Sequence, residues 1–417
     1  MNNQAWQEPI AIIGMAARLP GAVDLTEYWA NLAAGVESIE FPTDEQLLAA
    51  GVSEQALADP NYVKAHASAP ELAGFDAEFF GFSPRDAVAC DPQLRLFLEC
   101  AHAAVEEAGY DVEQLSEVGV FGAAGANRYL ELVRGLGTDA GQLPPAEANA
   151  IDNLAPLVSY RLGLTGPSLT VAAGSAGSLV AVHLAIASLR AAECRLALAG
   201  GVDVSAALGH GYRWQPGGTL SQDGHSRPFD KTATGAVPAN GAGVVLLKRL
   251  SDAVADGDRI WAVLRATAVT NDGADRESFG TATGGGQVTA IGQALELAGV
   301  PPVEVGLIEL PAAGTVPGDG TQLSALLAGY PDPAGEHPVH VLTSVTGNIG
   351  HLEHAAGIAS LIKAALCLQY ETIPGTVGYQ DPNPALEQAG PALQVTAQSV
   401  GWPYQPDRPR IAAVHAA

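Results

Sequence analysis

Residues 173–177 read "AGSAG" and run directly into the apolar, helix-periodic stretch "SLVAVHLA". A serine between small residues, after the apolar run "SLTVAAG", has the form of a strand-to-helix elbow. Small neighbours permit the sharp turn and leave the Ser175 hydroxyl accessible at the start of a helix. The positive end of the helix dipole favours a developing anion there, but only by about 1 kcal/mol. That cannot ionise an alcohol at neutral pH, so a nucleophilic Ser175 requires a base. The competing reading of the same residues is a helix-capping serine in a glycine-rich turn.

The candidate base lies in "SVTGNIGHLEHAAGIASLIK", residues 344–363. An apolar run passes through Gly347 and Gly350 into a helical pattern, and His351 stands at the junction, where a side chain is both held and accessible. His351 and His354 fall on one helix face, a spacing that a metal pair could use. No third ligand accompanies them, so no metal is expected, and a capping or surface role is the alternative for each. The loop "IELPAAGTVPGDGTQ", residues 308–322, adds Thr315 and Asp319. The chain order Ser175, Asp319, His351 is that of α/β-hydrolase triads, while Asp319 in its "GDG" context equally suits an Asx turn.

The elements that must position these groups alternate along the chain. "PIAIIGMAA", "VGVFGAAG", "SLTVAAG", "RLALAGGV" and "GVVLLKRL" read as strands, the last four bounded by glycines as expected of strands buried on both faces. "DLTEYWANLAAG" and "DPQLRLFLECAHAAVEEAGY" read as helices with acidic or proline starts and terminal glycines. A second series follows: a strand in "DRIWAVLRATAVT", a helix at "GQVTAIGQALELAGV", strands at "VGLIEL" and "VHVLTSV", and a helix at "HAAGIASLIKAALCLQ". Strands alternating with helices predict an α/β fold with a largely parallel sheet. No linker separates the two series, so residues 1–417 are read as one integrated domain with halves 1–252 and 253–417.

Composition narrows the function. The chain has 417 residues, of which 47% are hydrophobic and 16% charged, the profile of a folded globule with a sizeable core. Its formal net charge of −25 repels phosphate backbones and anionic lipid, which argues against nucleic-acid and membrane-surface partners. Cys90, Cys100, Cys194 and Cys367 have neither metal-site nor disulfide-framework spacing. The opening "MNNQAWQEPI" lacks a basic segment followed by an apolar one. The expectation is a cytoplasmic protein with no signal peptide or membrane span.

Taken together these segments resemble the β-ketoacyl synthase (ketosynthase) domains of modular polyketide synthases, in the thiolase superfamily. The resemblance runs over nearly the whole chain. It is carried in order by "PIAIIGMAARLPGA", "FFGFSPRDAVACDPQLRLFLECAHAAVEEAGYD", "GTLSQDGHSRPFDKTATGAVPANGAGVVLLKRL", "VTNDGA" and "SVTGNIGHLEHAAGIASLIK". It implies a five-layer αβαβα fold of two pseudo-symmetric halves meeting at a central cavity, and dimerisation through a sheet edge. It further implies substrates tethered through phosphopantetheine to an acyl carrier protein, with no cofactor bound. Thr315, Gly314 and Asn348 are the positions it assigns to substrate binding, Thr315 as a contact for the tethering arm.

The catalytic set departs from the family. Where ketosynthases carry the cysteine of "DTACSSSL", this chain reads "AAGSAGSL" with Ser175. In place of "EAHGTGT" stands "ELPAAGT", with Pro311 at the histidine and Ala313 at the first threonine. Thr346 replaces the lysine of "SVKSNIGH", Asn240 replaces the glutamate of "GEGAG", and His351 retains the second histidine. The family's glycine-rich ending "FGFGGTNAH" has no counterpart in "RIAAVHAA". A hydroxyl for a thiolate, and a proline where a donor faces developing charge, each weaken decarboxylative condensation. Losing one such donor costs about 100-fold or more. Two expectations follow. The chain is a non-elongating partner, comparable to a chain-length factor, working as a homodimer or beside an active ketosynthase. Alternatively, Ser175 and His351 form a dyad for acyl transfer, hydrolysis or ring closure on a carrier-bound chain.

Overall fold

The glycine-bounded apolar runs become the inner strands of a seven-stranded sheet. The computed structural model describes residues 8–135, 148–204, 210–276, 283–331, 339–389, 392–406 and 408–416. In this sheet β1 (Ile10–Arg18), β2 (Val118–Ala124), β3 (Ser168–Val171), β4 (Leu196–Asp203), β5 (Ala239–Arg249) and β6 (Ala262–Leu264) lie in the order β3-β2-β4-β5-β1-β6, with Ala67–Ser68 paired to β5. A second sheet holds β7 (Leu307–Glu309), β8 (His340–Thr343), β9 (Leu393–Val395) and β10 (Ala412–Val414) in the order β9-β8-β7-β10, all parallel.

The first sheet is mixed where a largely parallel one was expected. β2 runs parallel to β3 and β4, but β5 is antiparallel to both β4 and β1, and β6 is antiparallel to β1. The described chain between β4 and β5 contains no helix. Without a crossover helix the chain returns antiparallel.

Among the described residues, the helices of nine or more residues complete the frame: α1 (Leu25–Ala34), α2 (Pro92–Glu107), α3 (Leu154–Leu162), α4 (Gly177–Arg190), α5 (Gly285–Ala298), α6 (Val316–Gly329) and α7 (Ala356–Tyr370). Their ends follow the sequence signals. The Asp24 side chain caps α1 and Gly35 ends it at φ +67°, and Asp91 with Pro92 starts α2.

Strand alternation sorts the core into layers. Ala11, Ile13, Val118, Val120 and Leu198 face α2 and α3, whereas Ile10, Ile12, Phe121, Ala197 and Ala199 face α4 and α7. The helix α7 also touches β7 and β10 of the second sheet. The far side of that sheet, with Ile308 and Leu342, packs on Ile291 of α5 and on Leu323 and Leu326 of α6. The result is the expected αβαβα order, with α4 and α7 in the middle layer. Every residue of α7 from Ala356 to Cys367 is buried, as an almost uniformly apolar helix between two sheets must be.

β3 corrects a further expectation. It is not buried on both faces: Leu169 is 49% exposed, because among the described residues β3 is the last strand of its sheet and pairs only with β2. Among the described residues no helix is long and apolar enough to cross a membrane.

Candidate active site

Ser175 stands where β3 hands over to α4. Gly174 adopts φ +55°, and the short 3-10 turn Gly174–Ala176 leads into the helix. A Cβ at Gly174 would meet nothing within 4 Å, so the left-handed backbone, not space, calls for glycine there. At Gly177 the opposite holds, since a Cβ would come 2.9 Å from the Ala123 methyl carbon. The absence of a side chain there seats α4 against β2. The Ser175 hydroxyl does not cap the helix; α4 begins with no side-chain cap. Instead Oγ donates a long hydrogen bond of 3.4 Å to Glu353 Oε2.

The opposite wall is built from the end of β8. After the turn Thr346–Ile349 and Gly350 at φ +73°, His351 is pinned on both sides of its backbone. Its N–H donates to Val237 O at 2.8 Å and its carbonyl accepts from Ala239 N at 3.0 Å. Buried Glu309 braces the segment from below, accepting from Val345 N at 2.9 Å and pairing with Lys363 Nζ at 2.8 Å.

The imidazole of His351 is oriented by the residue after next. Glu353 N donates to His351 Nδ1 at 3.2 Å. Nδ1 therefore presents a lone pair and Nε2 carries the proton, which makes His351 a hydrogen-bond donor. Glu353 itself sits at φ +44°, a conformation costing a side-chain-bearing residue about 1–2 kcal/mol. That conformation turns its carboxylate to Ser175.

His354, next in the chain, has a different partner. Its Nδ1 lies 2.8 Å from Oδ2 of Asp203, which is 1% exposed at the end of β4. The bond to that carboxylate raises the His354 pKa above its usual value. Close approach is permitted by Gly201, whose Cβ would fall 2.6 Å from the His354 carbonyl oxygen. The sequence reading missed Glu353 and Asp203. The acid beside each histidine partner was visible as "HLEH" and "GGVDV", but nothing in one dimension links residue 203 to residue 354.

The other predicted residues fall out separately. Asp319 does not complete a triad, nor does it form a local Asx turn. It is fully buried in the first turn of α6 and accepts from Phe229 N at 2.8 Å and Gly314 N at 2.9 Å. Burial pushes its carboxyl up to about 7. Thr315 Oγ1 caps α6, accepting from Gly318 N at 3.1 Å, and Gly314 takes φ +67° within the same turn. Asn348 is buried, donating to Val36 O at 3.0 Å, while among the described residues its Oδ1 has no partner. Thr346 is 0% exposed, and among the described residues its Oγ1 is unpartnered. Asn240 donates to Ser68 Oγ at 2.9 Å. Pro311 is buried and has no N–H to offer. All four cysteines are buried away from solvent; Cys90, Cys100 and Cys367 have thiols pushed up to about 12 by desolvation. Among the described residues no group of three or more His, Cys, Asp or Glu could hold a metal ion.

A serine turn at the end of an edge strand, packed against a histidine-bearing turn where the two middle helices of an αβαβα sandwich begin, fits a thiolase-like α/β protein. The chain belongs to the β-ketoacyl synthase family: the family's N-terminal domain matches residues 7–253 and its C-terminal domain residues 261–380. It is 40% identical over 425 aligned residues to a component of the phenolphthiocerol/phthiocerol polyketide synthase of Mycobacterium tuberculosis, covering 98% of this chain and 28% of that protein. It is 37% identical to a pikromycin polyketide synthase component of Streptomyces venezuelae, over 95% of this chain and 11% of that protein. Among solved structures, ketosynthase twelve of the bacillaene polyketide synthase of Bacillus amyloliquefaciens superposes with TM-score 0.88 at 36% identity, covering 96% of this chain and 71% of that one. The chain thus spans a minor part of the length of the curated relatives it matches.

Proposed function

We propose that this chain is a ketosynthase-like domain of polyketide assembly that receives acyl groups tethered through phosphopantetheine to a carrier protein and does not elongate them. One observation carries the reading: no thiol is available at the elbow. Ser175 occupies it, and every cysteine of the chain is buried elsewhere. The buried, donor-free Pro311 supports the same conclusion, because condensation needs donors aimed at the developing enolate. Thr315 Oγ1 accepts a backbone bond but keeps its hydroxyl proton for the tethering arm, with Gly314 and Asn348 as the other substrate-binding positions. The open edge of β3 offers a surface for pairing with a second copy or with an active ketosynthase. Purified protein supplied with an acyl donor and malonyl-carrier protein is expected to yield no β-ketoacyl product. Appearance of that product would sink the proposal.

A second reading is favoured by the orientation of Ser175. Its hydroxyl addresses Glu353 and leaves the helix uncapped, so it is held as a reactive group is held. In this reading Ser175 is an acyl acceptor. Intact-protein mass spectrometry after exposure to acyl thioesters should show one added acyl group, absent in Ser175→Ala.

A further inference from the structure

We propose that the base serving Ser175 is His354, oriented by Asp203, and that His351 works opposite it as a hydrogen-bond donor. The inference rests on the reading of Ser175 as an acyl acceptor. It follows from the unlike settings of the two histidines. His351 receives the Glu353 N–H at Nδ1, so its Nε2 carries the proton and offers serine no lone pair to accept another. His354 faces a buried carboxylate at Nδ1, which fixes the proton on that nitrogen and leaves the Nε2 lone pair to accept. Among the described residues Nε2 has no hydrogen-bond partner, and the ring is one-quarter exposed.

Position supports the assignment. The 3-10 turn Glu353–Ala355 that carries His354 packs against the turn Gly174–Ala176 that carries Ser175, and the intervening Glu353 already accepts from the Ser175 hydroxyl. Glu353 is the weaker candidate as base, because a carboxylate is ordinarily less basic than an imidazole. The charged groups acting on His354 are Asp203 from β4 and Glu353 from its own turn. Asp91, at the start of α2, lies within the field of Asp203.

The substrate class is an acyl thioester of phosphopantetheine. Ser175 Oγ bonds to the acyl carbon to give a tetrahedral oxyanion, and collapse of that oxyanion breaks the C–S bond. The hydroxyl proton passes to His354 Nε2 and from there to the leaving sulfur, which departs as thiol. His351 Nε2–H stabilises the oxyanion between the two events. Atoms and charge balance with no further reactant.

The test follows acylation of the full chain by an acyl N-acetylcysteamine thioester, read by intact mass between about pH 5.5 and 9, a range spanning the ordinary histidine pKa. His354→Gln is expected to slow acylation about 100-fold or more and to remove the rise in rate with pH. His351→Gln slows acylation but keeps that rise. Asp203→Asn, a positioning variant, moves the rise to lower pH because the carboxylate that raises the His354 pKa is gone; it also serves if His354→Gln fails to fold. Acylation of His354→Gln at the wild-type rate overturns the base assignment alone, as does loss of the pH rise in His351→Gln or an unmoved rise in Asp203→Asn. Wild-type protein never acylated at Ser175 overturns the acyl-acceptor reading and this assignment with it.

Discussion

Glu309→Gln should destabilise the protein more than Lys363→Met, although both break the same ion pair. Glu309 and Lys363 are each 0% exposed, with Oε2 and Nζ 2.8 Å apart. Breaking a buried pair by removing one partner typically costs about 3–5 kcal/mol, and the structure sets which end of that range applies. Lys363→Met leaves a carboxylate that still accepts from Thr343 Oγ1, Val345 N and Ser360 Oγ. Its charge stays solvated by three donors, so the cost should lie near about 3 kcal/mol. Glu309→Gln removes the only partner that the described residues give the Lys363 ammonium and turns an amide N–H₂ toward groups that donate. That cost should lie near about 5 kcal/mol. For 417 residues the entropy of unfolding makes each kcal/mol worth about 1 °C, so guanidinium titration with a shared m-value is the sharper assay. The double variant should recover part of the loss by removing both charges. A Lys363→Met cost equal to or above that of Glu309→Gln would refute the reasoning, as would costs below about 1 kcal/mol for both. The consequence reaches the site, because Val345 starts the turn that delivers His351.

Three other outcomes are expected. Ser175→Cys should acylate faster than wild type, since a thiol is the softer nucleophile, yet yield no β-ketoacyl product by mass spectrometry while Pro311 withholds a donor; product formation would contradict this. Gly174→Ala should lose about 1–2 kcal/mol in chemical denaturation purely from φ +55°, because its Cβ meets nothing within 4 Å; a neutral result would show that the turn relaxes. Burial raises the folded Asp319 pKa to about 7, above the unfolded value of about 4. The folded state then keeps a proton that the unfolded chain releases, and stability should fall as pH rises from about 4 to about 7. Asp319→Asn should flatten that slope while costing about 1–3 kcal/mol, because one of the Phe229 and Gly314 N–H groups would face an amide N–H₂. Unfolding titrations at pH 4.5 and 7.5, values chosen at about the ends of that window, separate the two effects.

The elbow and the alternation of strands and helices were legible in the chain, because each is local. A Ser between small residues, an apolar run ending in glycine and a proline at position 311 carry their meaning with them. The order of motifs then specified the αβαβα layers. Strand direction and exposure were not local properties. "SLTV" and "LALAGGVD" look alike, yet one is an edge with Leu169 half exposed and the other is buried throughout, since neighbours decide which strand ends a sheet. The same holds for the chemistry. That His351 is a donor depends on a backbone N–H folded back onto its ring. That His354 meets Asp203 depends on residues 151 apart in sequence, brought together by the close approach that Gly201 permits. Residue types are a matter of sequence, but the side of an imidazole that bears its proton is set by what tertiary packing places beside each nitrogen.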